Sequence, residues 1–394
     1  MGPQQILIDR IDILDAELRE AKNRLNAVTV PASIANRIGP ELIDSIEDLR
    51  AKIADARGSA QAIAADDAPE TKSQIKTAWI KFDGLQVSGE RQLAEVLALL
   101  HGARSRNVSG QERVLAEIAD GLMDEFSSRL QAIAWKRFTF EAEGEAFAGN
   151  TQVIRLRFPL KDIWNLTIAA HEFGHFLASQ IKIPKTAVLL GQALTPDNDV
   201  DKDKRWYYLN EFFADGAAAY ALGPAYGFAC LLVRFNPVRA WSETDSIHPP
   251  DGQRAELILQ MLDRMDREPD NKKLFEGPIQ RLRELWTASL ATAGRPTGMP
   301  EDDMKKLTAL VDEMYGEILK PGARHLRYNT LQEAKNSHDL LTGKTESVPK
   351  SVGMRDLLNA AWRERLRKDA DVAAINQRFI DICQKAFGNS GGGN

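Results

Sequence analysis

Two short runs in this sequence hold residue types that can work together on a metal ion. The first is His171-Glu172-Phe173-Gly174-His175, inside a stretch whose periodicity predicts a helix over 162–181, stopped before Pro184. Residues four apart on a helix share one face, so His171 and His175 can direct two imidazole nitrogens at one ion. Glu172 sits one residue along, in reach of a metal-held water without being a ligand. The second run, Asn210-Glu211-Phe212-Phe213-Ala214-Asp215, starts another strong helix. Glu211 and Asp215 are four apart and leave an otherwise apolar helix on the same side, where unpaired charge is expensive to bury. A cation relieves that expense. Glu211 completes a His2Glu set with a fourth position open to water, the pattern of a catalytic rather than a structural zinc, one Zn2+ per chain. Asp215 is placed to accept a hydrogen bond from the outward ring nitrogen of His171, fixing its tautomer.

H-E-F-G-H followed by N-E-F-F-A-D resembles the gluzincin metallopeptidases, over residues 136–265. The resemblance implies zinc on His171, His175 and Glu211, Glu172 as general base, Asp215 behind the ligands, and a sheet edge that binds substrate backbone. His248-Pro249-Pro250-Asp251-Gly252-Gln253-Arg254 is similar to the H-P-P-x-x-x-R segment of the CAAX-prenyl-protease and heat-shock membrane-protease branch. By that likeness His248 donates to the developing oxyanion, and Arg254 holds the Glu211 or Asp215 carboxylate. The same residues also read as a helix start near Gln253 preceded by Pro249-Pro250, with His248 merely adjacent, and both readings stay open. Those relatives are membrane-embedded. This chain lacks their spans, so their lipidated or membrane substrates are not carried over.

The activity implied is zinc-dependent hydrolysis of peptide bonds in a protein or peptide substrate, with Glu172 taking the water proton and later delivering it to the leaving amine. The alternative is a zinc-bound regulatory or protein-binding module without turnover. Glu172 argues against it, since ligand geometry alone does not require that residue. For the oxyanion, Tyr207, Tyr208, Tyr220, His248 and His325 are all available by type.

The elements that must position these groups are mostly helical, and the expected fold class is α+β: a zincin-like catalytic core with a small sheet (75–290), an N-terminal helical hairpin (1–66) and a C-terminal helical region (300–388). Leu7, Ile11, Leu14, Leu18, Ala21 and Leu25 step by four and three, and Leu42, Ile46, Leu49 and Ile53 repeat the pattern after Pro31, which predicts the hairpin. It is a packing or dimerisation element, a contact for a second copy or a partner protein. A linker is expected over 60–72, then helices over 90–100 and 111–135. Phe138 and Phe140, then Ile154, Leu156 and Phe158, alternate with polar neighbours, which predicts strands separated by Gly144 and by Gly149-Asn150. Helices follow over 207–222, 224–235, 253–267, 279–290 and 304–319. A polar loop over 324–350 leads to helices at 354–367 and 372–387, and a disordered tail is expected over 388–394.

Composition excludes several classes. Among 394 residues, 51 basic side chains stand against 56 acidic ones for a net charge of −5, with both signs scattered, which argues against nucleic acid as the partner. The N-terminus shows neither an export signal nor a myristoylation site, Ile6 standing where Ser or Thr is wanted. Cys230 and Cys383 are distant and in apolar contexts, suiting buried thiols of a reducing compartment, so a cytoplasmic protein is expected. Residues 216–233 carry no charge, but Gly223-Pro224 interrupts them and Asp215 and Arg234 flank them, so they read as core helices rather than a membrane span. Asp197, Asp199, Asp201 and Asp203 alternate, yet counting from Asp197 puts Lys202 and Tyr208 where a calcium loop wants Gly and Glu. His325 and His338 read as solvent-exposed, and Trp164, Trp206 and Trp362 as core anchors.

Overall fold

The structure is a computed structural model, and it describes residues 3–28, 40–64, 68–105, 111–130, 139–142, 146–148, 153–157, 162–181, 183–194, 202–242, 248–271 and 273–387. Contacts divide the chain into two compact units.

The first unit comprises Met1–Arg113, Lys136–Gly144 and Ala148–Phe158. Its α1 (Pro3–Ala27), α2 (Pro40–Gln61) and α3 (Pro69–Ser105) all pack on one another. Every apolar position of the two predicted repeats is buried, from Leu7 to Leu25 and from Leu42 to Ile53, and Phe82, Val96, Leu99 and Leu100 of α3 join the same core. Polar pairs lock the register: Arg50 reaches Asp15 at 2.8 Å, and Gln92 Nε2 donates to Ser45 Oγ at 2.6 Å. The hairpin is therefore two-thirds of a three-helix unit, and a boundary at residue 66 cuts through its core. The apolar stripe of α3 starts well before residue 90, and the linker expected over 60–72 is shorter, since α3 begins at Pro69.

Three strands are described: β1 (Thr139–Ala142), β2 (Ala146–Ala148) and β3 (Val153–Arg157), β1 pairing with β3 in parallel with Thr139 opposite Ile154. Phe138, Gly144, Gly149, Asn150 and Phe158 lie outside the described residues. The expected α+β, zincin-like core is not what forms. Most of the described residues are helical, the described strands are only four, three and five residues long, and the paired β1 and β3 fall in the first unit while the helices bearing the metal-type residues fall in the second. The physical reason is that apolar positions recur mostly at helical spacing along this chain, so the faces they bury belong to helices that pack on one another.

The second unit holds α4 (Gln111–Ser128), a 3-10 turn at Ile163–Asn165, α5 (Ile168–Gln180), α6 (Lys185–Ala193), α7 (Lys202–Leu222), α8 (Pro224–Ala229) with a π-turn at Cys230–Arg234, α9 (Asp251–Asp266), α10 (Glu276–Thr292), α11 (Glu301–Glu313) with a π-turn at Met314–Leu319, α12 (Met354–Arg365) and α13 (Val372–Phe387). α7 is its axis and packs against α5, α6 and α9. From Phe212 to Leu222 every side chain of α7 is buried. α7 turns into α8 at Gly223, whose φ of 66° favours glycine, and Pro224 starts the new helix where a missing N–H does no harm.

The C-terminal region belongs to this unit instead of forming one of its own. Arg355, fully buried, donates to the carbonyls of Ala221 (2.9 Å) and Leu326 (2.8 Å) and pairs with Glu125 (2.8 Å). Asn359 accepts from the Ala225 N–H at 3.0 Å and donates to the Leu222 carbonyl at 2.8 Å. α12 thus satisfies the orphan backbone groups where α7 ends and α8 begins. The expected loop over 324–350 contains short helical turns at Arg324–Leu326, Leu331–Asn336 and His338–Leu341. His338, read as exposed, pairs with Glu364 at 2.7 Å, whereas His325 is exposed as expected. Trp164 and Trp362 are buried against each other, but Trp206 is 49% exposed. Cys230 and Cys383 are buried free thiols. No helix among the described residues is long and apolar enough to cross a membrane. The aspartates at 197, 199 and 201 and the tail at 388–394 lie outside the described residues.

Candidate metal centre

α5 and α7 cross at a glycine. A Cβ on Gly174 would stand 2.7 Å from the Ala214 Cα and 2.8 Å from its carbonyl oxygen, so only glycine allows the two backbones to meet. One residue beyond Gly174 is His175, three before it is His171, and Glu211 and Asp215 flank Ala214 on the other helix. The close crossing is what brings these four side chains together.

Their geometry is compact. His171 Nε2 and His175 Nε2 are 3.1 Å apart, with the rings at 85°. His171 Nε2 lies 3.3 Å from Glu211 Oε2, and His175 Nε2 lies 3.2 Å from Glu211 Oε1. Bonds of about 2.0–2.2 Å at tetrahedral angles require ligand atoms about 3.3–3.5 Å from one another. The three donors form nearly that triangle, and among the described residues they are the group of His, Cys, Asp or Glu side chains able to hold a metal ion. Imidazole and carboxylate donors in this number fit a borderline divalent cation.

Behind the triangle lies a carboxylate with hydrogen-bond partners on both oxygens. Asp215 is completely buried. Its Oδ2 accepts from Arg254 Nε at 2.6 Å, and its Oδ1 accepts from Arg254 Nη2 at 2.9 Å, from the Tyr226 hydroxyl at 2.6 Å and from His171 Nδ1 at 2.9 Å. Arg254 Nη2 also stands 3.4 Å from Glu211 Oε2 and its guanidinium lies over the Phe235 ring. With Nδ1–H turned to Asp215, His171 presents Nε2 as an acceptor toward the triangle.

The electrostatics follow from burial and opposite charge. Burial alone would push the Asp215 carboxyl up, but Arg254 and His171 outweigh it and hold the group ionised well below the usual range. Burial likewise opposes Glu211, and His171, His175 and Arg254 reverse it. For His171, burial pushes the imidazole down, yet the Glu211 and Asp215 carboxylates hold its pKa up at about 10. A proton on Nε2 thus occupies the direction from which a cation would be bound, and the two compete.

The sequence-predicted residues converge here. His171, His175, Glu211, Asp215 and Arg254 form one connected cluster, and His248 Nε2 approaches Glu211 Oε2 at 3.8 Å with its side chain 36% exposed. Glu172 follows His171 on α5 and is buried. Of the oxyanion donors considered, His248 is the one with a described contact to the triangle; Tyr207 and His325 are exposed, Tyr208 is buried, and Tyr220 packs on Tyr315. Sequence reasoning missed Tyr226. A signal existed, because a tyrosine inside the uncharged run 216–233 must find a partner for its buried hydroxyl, and Asp215 is the nearest acidic residue in sequence. Comparison with protein-family models, with curated proteins and with solved structures gives no match to this chain.

Proposed function

We propose that this protein is a zinc-dependent peptidase, a reading carried by the His171–His175–Glu211 triangle with Glu172 built into the same helix turn. The support is local: donor types and spacings that suit zinc, three protein donors as a catalytic zinc would have, and an acid–base residue adjacent to a ligand. Its likeness to the gluzincin motifs agrees with that assignment.

When bound, zinc supplies a Lewis acid that polarises the scissile carbonyl and lowers the pKa of its water to about 7. His171, His175 and Glu211 hold it, while Asp215 and Arg254 keep His171 and Glu211 in place. Glu172 accepts a proton as the water oxygen bonds to the carbonyl carbon, then returns it to the amide nitrogen as the C–N bond breaks. His248, at the exposed side of Glu211, donates a hydrogen bond to the oxyanion. One carboxylic acid and one amine leave.

Glu172→Gln tests this reading. The amide keeps size and hydrogen bonding but cannot take the water proton, so zinc content should stay while turnover falls about 10²–10⁴-fold. Proteins retained by Glu172→Gln but not by His175→Ala, and then cut by wild type at a defined bond, would supply the substrate. Cleavage by Glu172→Gln at the wild-type rate would refute the mechanism. Zinc binding with no cleavage of any retained protein would leave the non-catalytic, zinc-bound module.

A further inference from the structure

Tyr226 enters the metal centre from a third helix. α5 brings the histidines and α7 the carboxylates, but Tyr226 sits on α8, beyond the Gly223 corner, and is buried with its hydroxyl against both Asp215 and His171. Its Oη donates to Asp215 Oδ1 at 2.6 Å and lies 3.2 Å from His171 Nδ1. Because the hydroxyl proton is committed to the carboxylate, the oxygen lone pairs face Nδ1, and the His171 N–H is shared between Asp215 Oδ1 and Tyr226 Oη.

We propose that Tyr226 is a positioning residue of the metal centre, its hydroxyl aiming Asp215 and giving the His171 Nδ1–H a second acceptor, so that Nε2 is held toward the ion. The proposal rests on the metal assignment above and is independent of whether peptide bonds are cut. A lone carboxylate fixes the tautomer of a ligating histidine but leaves the ring free to rock about its bond to Cβ. Two acceptors flanking one N–H restrain that motion, and ligand atoms must stay within about 0.2 Å of their places to hold an ion well.

The arrangement also explains why α12 is bolted to the α7–α8 corner. Asn359 and Arg355 fix the end of α7 and the first turn of α8, and Tyr226 stands on that turn. Polar contacts from α12 therefore hold the backbone of the corner on which Tyr226 stands, and Tyr226 carries on to Asp215 and His171. A hydroxyl inside an otherwise apolar helix is costly to bury without such a partner, and a phenylalanine would fill the same space.

The test is Tyr226→Phe in the full chain, which keeps the ring and removes the oxygen. Zinc affinity, read by competition with a chromophoric chelator, should weaken about 10-fold, the lower end of the range for groups supporting a metal ligand. In zinc-loaded protein with 15N-labelled histidine, the His171 Nδ1–H signal should shift and exchange with water faster than in wild type. A ring that merely packs would move neither, because phenylalanine packs as well. Wild type gives an independent readout: a cross-relaxation peak between the Tyr226 hydroxyl proton and the His171 Nδ1 proton is expected, and its absence when both protons are visible would overturn the proposal. So would unchanged zinc affinity with an unchanged His171 signal. If wild type bound no zinc, the metal assignment itself would fall and this proposal with it, whereas zinc binding without peptidase activity would leave Tyr226 where it is placed here.

Discussion

Gly174→Ala should disable the metal centre by a single methyl group that touches no ligand. The added Cβ would lie 2.7, 2.8 and 3.1 Å from the Ala214 Cα, O and C, against an ordinary contact of 3.4 Å or more. To restore that contact α5 and α7 must separate at their crossing by about 0.7 Å, several times the 0.2 Å that a metal site tolerates. The His171–Glu211 and His175–Glu211 separations of 3.3 and 3.2 Å would widen toward about 4 Å, beyond what one tetrahedral ion spans. Overpacking also destabilises the fold by about 1–3 kcal/mol. Zinc affinity by chelator competition should drop by about 10–100-fold or more, and the chelated variant should melt several degrees lower but still cooperatively. Ala214→Gly should not rescue it, since the clash is with backbone atoms. A Gly174→Ala protein that binds zinc as tightly as wild type would refute the claim that this crossing sets the ligand spacing.

Asp215→Asn should weaken zinc binding by about 10–100-fold and lower stability by up to about 3–5 kcal/mol in denaturant unfolding, because it leaves the buried Arg254 only the longer 3.4 Å contact to Glu211; an effect on neither would relocate Asp215 to an indifferent role. The zinc-free protein should lose stability as pH rises: the folded pKa of His171, about 10, lies above its ordinary 6.5, so its contribution is complete below about 6.5 and disappears as pH climbs through 10. Saturating zinc, which displaces that proton, should flatten the dependence in thermal scans, and a metal-free protein with pH-independent melting between 7 and 10 would contradict the charge arrangement. Deleting residues 1–66 should uncover Phe82, Val96, Leu99 and Leu100 of α3, giving a chain that binds a hydrophobic dye and aggregates; a well-behaved monomer would show that α3 does not need the hairpin.

Much of the site was legible because its signals are local. The i, i+4 spacing of His171 with His175 and of Glu211 with Asp215 defines two helix faces, and charge on an apolar helix demands a partner wherever that helix goes. The hairpin was legible for the same reason, since its repeat is written in consecutive turns. What the sequence did not disclose is long-range. Alternation around residues 140 and 156 is true of short strands, but nothing in it says which element the site helix crosses, and Gly174 against Ala214 shows that α7 is one. Tyr226 was missed because its partners stand 11 and 55 positions away along the chain. Arg355 and Asn359 were missed for the same reason, which let the C-terminal region pass for a separate domain. Trp206 shows the limit of residue type as a guide, being large, apolar and half exposed.

The central claim is that His171, His175 and Glu211 form one zinc site, and counting zinc by native mass spectrometry on protein purified without chelators tests it most directly. The account predicts one zinc per wild-type chain, removed by His175→Ala while the fold persists. A wild-type chain carrying no metal, or the same zinc count after His175→Ala, would contradict it.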